Sequence, residues 1–246
     1  MRWIPLAVGF GAYLIGLAAT APATLVDAAL QGASNGRLRL AEAQGSLWSG
    51  AGQIEIRDTD GRIGIAKSLA WRFLPLSLLH GHLVCEVALD RASRYLPVMI
   101  SLSGIEVADA DVDLPAAALG LAVPKLMPLG LGGEVSLHVE RLFIGRNGLH
   151  GNTTLQWRAA ASALTPVAPL GDYELRLEFE GTSTHALLRT LQGPLQLDGK
   201  GTWPKGAPPQ FPVTARVSWQ HQQQLVPLLR LIAVERGEGS FELPLK

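Results

Sequence analysis

The sequence predicts a mainly β protein, an antiparallel, curved meander with a few short helices, preceded by a transmembrane helix at the N-terminus. Three observations carry that expectation. Apolar and polar residues alternate with period two through most of the chain, the alternating runs are separated by Gly and Pro, and no charged residue occurs from Trp3 to Val26. The 27 glycines and 16 prolines, set against 6% aromatic residues, suit many turns between short elements better than long helices.

The N-terminal run is slightly longer than the ~20 apolar residues that cross a hydrocarbon core. Trp3 stands where an interfacial ring would anchor such a helix. Gly9, Gly11 and Gly16 weaken a helix in water but are common in lipid; a Gly-x-x-x-x-Gly spacing is not the Gly-x-x-x-Gly dimer motif. A cleaved signal peptide is the rival reading, since Ala19-Thr20-Ala21 and Ala21-Pro22-Ala23 both resemble cleavage sites. Pro22 and the length of the run weigh against it. Residues 1–26 are therefore expected to form a short tip and a retained anchor, with residues 27–246 as the β-rich domain. Arg2 on one flank and Arg37 and Arg39 on the other leave the orientation undecided by charge.

In the body, Leu25 to Leu30 continue as a short helix that Gly32 to Gly36 break. Leu38 and Leu40 alternate with Arg37 and Arg39, and Ile54 and Ile56 with Glu55 and Arg57. Asp60-Gly61 turns the chain into a returning strand at Ile63 and Ile65. The stretch from Asp58 lacks the later ligands of a calcium loop, so it reads as a turn. Four segments echo one another, with glycine at the entrance of a strand: those beginning at His80, Leu131, Leu149 and Gly193. Their irregular spacing suits a meander with one packed face, not a solenoid. Helical turns are expected at Leu114–Leu119 and Ala186–Leu191, and a helix through Leu225, Leu228, Leu229 and Ile232. Gly239 to Leu243 reads as a last strand. Pro- and Gly-rich stretches at Pro166–Gly171 and Lys205–Pro212 read as long connections, and a division into two lobes is expected near 163–170.

The composition excludes several functions. Hydrophobic residues make up 48% of the chain and charged ones 17%, which is too apolar for disorder. The 21 basic residues balance 21 acidic ones, so no excess of Lys and Arg exists to grip nucleic acid. Cys85 is the only cysteine; it lies in phase with Leu83, Val87 and Leu89 and is expected to be a buried small hydrophobe. Of six histidines only His80 and His82 are close, and two imidazoles alone make a weak metal site. Gly181-Thr182-Ser183-Thr184-His185 fails the hydrolase elbow at its last position, and the glycines at 50 and 52 do not complete a dinucleotide fingerprint. No catalytic, metal or cofactor residue is singled out, and the chain is expected not to be an enzyme.

Two stretches carry a resemblance. The first is Gly45-Ser46-Leu47-Trp48-Ser49-Gly50. The second runs from Leu170-Gly171-Asp172-Tyr173 to Thr190-Leu191-Gln192-Gly193-Pro194-Leu195-Gln196-Leu197-Asp198-Gly199. With the N-terminal run and the Leu228-Leu229 pair, these resemble the type II secretion system protein N family. The family's Gly-Thr-Leu-Trp-Ser-Gly stands here with Ser46 in place of Thr. The resemblance implies a single-pass inner-membrane protein with a cytoplasmic tip and its bulk in the periplasm, accessory to the apparatus that exports folded proteins across the outer membrane. It implies partners among the inner-membrane platform subunits and the secretin, and it carries over no catalytic residue.

Two readings of these motifs stay open. Gly45, Leu47, Trp48, Ser49, Gly50, Gly171, Tyr173, Gly193, Pro194 and Gly199 either shape bends and pack the core or present a partner contact, for which the Trp48 indole is suited. The segment Trp71 to Leu83 also resembles the opening of AsmA-like proteins, which place a membrane helix before an apolar β-groove. That resemblance implies a lipid-binding or lipid-transfer alternative.

Overall fold

The computed structural model describes residues 9, 10, 13, 16, 17, 19–57, 63–89, 95–204, 206, 210–237 and 240–243. No helix among the described residues is long and apolar enough to cross a membrane; part of the anchor expected from the sequence falls outside them. The Asp60-Gly61 turn also lies outside them. The chain divides into two compact units, Met1–Leu102 and Ser103–Lys246.

The described residues of the first unit include helix α1 (Thr24–Ala33) and five strands, β1 (Leu38–Gly45), β2 (Ser49–Arg57), β3 (Ile63–Leu74), β4 (His82–Leu89) and β5 (Leu96–Ser101). Each strand pairs antiparallel with the next, so the expected meander is found. Helix α1 begins close to where the sequence places it and ends at Ala33, ahead of Gly36. Its Asp27, in the first turn, suits the positive end of the helix and accepts hydrogen bonds from Gln31 Nε2 (2.7 Å) and Leu40 N (2.8 Å). Those bonds hold α1 against β1 while Val26 and Leu30 pack on Leu40, Trp71 and Cys85. Cys85 is buried as expected.

Among the described residues the second unit has nine strands: β6 (Gly104–Pro115), β7 (Leu131–Gly145), β8 (Gly148–Ser162), β9 (Gly171–Gly181), β10 (Ser183–Gln192), β11 (Leu195–Pro204), β12 (Val213–Val217), β13 (Val234–Gly237) and β14 (Ser240–Leu243). They lie in sequence order except at the end, where β14 sits between β12 and β13, and all pairs are antiparallel. Helix α2 (Ala117–Ala122) follows β6, so the helical turn expected at Leu114–Leu119 starts later, after β6 has run to Pro115. The turn expected at Ala186–Leu191 is instead part of β10. Its Leu and Ala content favours a helix, but β9 and β11 satisfy its backbone from both sides and place Ala186 and Leu188 on the packed face.

Pairing across β7, β8 and β9 lines up Val135, Trp157 and Tyr173 on one face, and Leu137, Leu155 and Leu175 beside them. Helix α3 (Gln222–Ile232), close to its expected place, covers one end of that face; Leu225 and Leu229 are fully buried with Phe241 of β14. The connection 163–170, where a lobe boundary was expected, lies inside this unit and contributes Val167 and Leu170 to the same core. The boundary between the units falls at Leu102 instead.

Candidate functional site

The sequence-selected residues form two clusters, one in each unit. In the first, Gly45 to Gly50 make the tight connection between β1 and β2. Ser46 N donates to Ser49 O (2.9 Å), and Ser49 N donates to Ser46 Oγ (3.2 Å). Gly45 has φ +95°, and a Cβ there would stand 2.5 Å from Ser49 O, so only glycine closes this turn without strain. Gly50 faces Trp71 of β3 across the sheet, and a Cβ on it would overlap the indole ring.

That turn ties three segments together. Trp71 Nε1 donates to Leu47 O (3.0 Å), Phe73 N donates to Trp48 O (2.7 Å), and Leu47 N donates to Ala21 O (2.7 Å). Trp48 is half-buried, edge-to-face with Phe73 at 6.2 Å between centroids. The motif is therefore the join between the N-terminal segment and the sheet. Trp71 and Asp27, which complete the join, were not singled out from the sequence, because nothing local marks a tryptophan 24 positions away as the partner of Leu47.

In the second cluster, Tyr173 is buried and its hydroxyl donates to Leu195 O (2.9 Å). Burial, with a smaller contribution from the Asp172 charge, pushes its pKa far above the ordinary phenol value. The Trp157 ring packs 5.9 Å from the Tyr173 ring, and Trp157 Nε1 donates to Gly132 O (2.9 Å). Gly193 has φ +131° and lies against Gly171, where a Cβ would overlap the Gly171 backbone. Pro194 O accepts from Ser218 N (2.9 Å), and Leu195 N donates to Leu170 O (3.1 Å). Thr190 Oγ1 bonds both backbone groups of Leu197, donating to its O (3.0 Å) and accepting from its N (2.6 Å). Gly199 leaves room for Phe211, whose ring a Cβ would approach to 3.2 Å. Asp172 works with these residues, its two oxygens accepting from Ala159 N (2.7 Å) and Gln192 Nε2 (2.6 Å). The motif locks the β8–β9 connection against the β10–β11 turn.

The opposite face of this sheet is polar, with Asp111, His138, Thr154 and Arg176 side by side across β6 to β9. It holds a cavity of about 630 Å³ lined by Glu140, Asn152, Arg176, Glu178, His185 and Lys200 among others. A second, of about 520 Å³, is lined in part by Asp111, Ser136, His138, Gln156, Arg158 and Glu174. The charges here mostly serve one another. Glu174 Oε1 pairs with Arg176 Nε (2.7 Å) and Arg189 Nη2 (2.8 Å). Burial alone would raise the Glu174 pKa, but the Arg176 hydrogen bond, the two guanidinium charges and Gln156 together hold it below the ordinary value. His138 Nδ1 is 2.6 Å from Asp111 Oδ1. Among the described residues, no hydroxyl is hydrogen-bonded to His138, and no group of three or more His, Cys, Asp or Glu could hold a metal ion.

No curated protein and no solved structure matches this chain. The family model of the type II secretion system (T2SS), protein N, matches residues 36–244, which includes both glycine-rich clusters. The chain belongs to the type II secretion system protein N family.

Proposed function

We propose that the chain is a non-catalytic accessory component of the type II secretion machinery, anchored in the inner membrane by residues 3–26, with its β-rich body in the periplasm. There it assembles or stabilises the apparatus by adding a strand of another component to its sheet. Family membership implies contact with other type II secretion components. The inner-membrane platform subunits and the secretin are the partners proposed.

The observation that carries the scaffold reading is the contrast between two sheet edges. Along the outer side of β1, Leu40 N is taken by Asp27 Oδ1 (2.8 Å) and Leu38 N by Ser34 Oγ (2.9 Å). The chain's own helix thus protects that edge from strand addition. At the far end of the second unit, β13 is the outermost strand, four residues long, and its first residue, Val234, is 53% exposed. An extended segment of a partner can pair there through its main chain.

A lipid-groove reading has less support. The smaller of the two cavities described above is lined by charged and polar side chains, and the larger sets Glu140, Arg176, Glu178 and Lys200 beside Leu177, Ala186 and Leu187; an acyl chain would leave those charges unsolvated. The test is photo-crosslinking in secreting cells from residues introduced at Val234 and Trp48, with adducts identified by mass spectrometry. Platform or secretin subunits are expected at Val234; recovery of lipid alone would sink the scaffold reading.

A further inference from the structure

One end of the first unit's sheet gathers four chain segments. β1 ends at Gly45 and β2 begins at Ser49, and the bond from Leu47 N to Ala21 O (2.7 Å) brings the N-terminal segment to the same place. β3 ends beside that turn, Phe73 N donating to Trp48 O. A 3-10 turn, Pro75–His80, then leads into β4, and the end of β5 is at the same end, since Ser101 pairs with His82.

This end is apolar and exposed. Leu76 is 76% exposed, Leu79 84% and Leu102 97%. No Asp, Glu, Lys or Arg occurs in residues 19–26, 43–54, 73–85 or 96–102, the four stretches that meet there. The other end is charged: Arg37 and Arg57 meet there, Arg57 N donating to Arg37 O (2.8 Å). Leu76 and Leu79 are presented by a built turn. Ser77 Oγ donates to Leu74 O (2.6 Å) and accepts from Val84 N (3.0 Å), and Gly81 N closes the turn on Leu78 O (3.0 Å).

Exposed apolar side chains gathered on one uncharged end mark an interaction surface. Ala21 to Ala23 of the uncharged N-terminal segment meet that end, through the bond from Leu47 N to Ala21 O and the Pro22–Ser46 bridge, so a bilayer that holds the segment would lie beside these leucines. We infer that this end of the first unit docks into the lipid surface beside the anchor, with Leu76, Leu79 and Leu102 at the boundary between headgroups and acyl chains and Trp48 at headgroup level. The inference rests on the anchor reading proposed above. It adds that the β unit sits on the bilayer with a set orientation, its charged end away from the membrane.

The test uses the full chain reconstituted in liposomes of phosphatidylcholine and phosphatidylglycerol, with and without brominated acyl chains. An environment-sensitive fluorophore is attached in turn to Leu17→Cys, Leu79→Cys and Ala33→Cys; native Cys85 is buried, and the unsubstituted chain is the blank. Docking predicts a blue shift and loss of emission in brominated lipid at Leu79→Cys, with neither at Ala33→Cys. Quenching at Leu17→Cys without quenching at Leu79→Cys would overturn the docking and leave the anchor standing. Quenching at neither would overturn both. A blue shift at Leu79→Cys that brominated lipid leaves unquenched would show a protein partner there, and equal quenching at Leu79→Cys and Ala33→Cys would deny the orientation; each refutes the inference.

Discussion

The indole of Trp71 donates its hydrogen bond to the Leu47 carbonyl at 3.0 Å, joining the third strand of the first unit to the turn between the first two. Trp71 is buried, and Gly50 gives its ring the space it occupies. Replacing Trp71 with Phe keeps an aromatic ring and removes the donor, leaving Leu47 O without that partner. The expected loss is about 1–2 kcal/mol of unfolding free energy. Trp71→Ala removes the packing as well and is expected to lose about 3–5 kcal/mol. Denaturant unfolding followed by circular dichroism measures both; equal stabilities for the two variants would contradict the assigned role of the ring.

Gly193→Ala tests the second cluster. The backbone at φ +131° is one an L side chain rarely adopts, and the added Cβ would meet Gly171 and stand 2.7 Å from Leu170 O. A destabilisation of about 1–3 kcal/mol is expected from strain alone. Gly32→Ala, on an exposed helix position with open space around the Cβ, is expected to be neutral or slightly stabilising. Thermal unfolding of the pair compares the two directly.

Glu174 gives the second unit a pH dependence of known sign. Its folded pKa lies below the ordinary 4.5, so the carboxylate contributes stability that is complete above 4.5 and is lost as pH falls through the folded value. The chain is therefore expected to lose stability as pH falls below 4.5 toward the lowered folded value. Glu174→Gln should lose less over that interval, starting from a lower stability at pH 7. The arginine partners are half exposed, so solvent weakens the ion pairs and the effect is modest. Urea unfolding at several pH values reads both slopes.

Cys85 should resist alkylation in the folded chain. Burial, and to a smaller extent the neighbouring Glu86 charge, pushes its thiol up to about 11, so the thiolate is scarce as well as covered. Maleimide at neutral pH is expected to leave Cys85 unmodified until denaturant is added, as mass spectrometry would show. Rapid labelling of the native chain would place Cys85 outside the core shared with Leu40 and Trp71.

The meander could be read from alternation because a strand's side chains change face at every residue, and that period is written in Leu38 and Leu40 or Ile54 and Ile56 without reference to the rest of the chain. The segment Ala186–Leu191 was misread for the complementary reason. Its residues favour a helix in isolation, and only two neighbouring strands, each supplying a backbone ladder, make it extended. The glycine motifs stood out in the sequence, but their role did not. Gly50 needs Trp71, and Gly193 needs Gly171, partners that lie about 20 residues away and mean nothing to each other until the chain turns back. The polar face followed the same rule: His138 looked isolated in sequence and is bonded to Asp111 on the adjacent strand.

Local pattern alone determined that the body is β-rich, antiparallel and finely punctuated, and it carried the order of motifs by which the family is recognised. Tertiary structure decided which strands end the sheet, which edge α1 shields through Asp27 and Ser34, and which leucines remain uncovered at the end where the N-terminal segment arrives. The division has a physical cause. Side-chain period and turn propensity act between near neighbours, whereas hydrogen bonds across strands and the packing of Trp71 or Tyr173 arise only when distant residues meet.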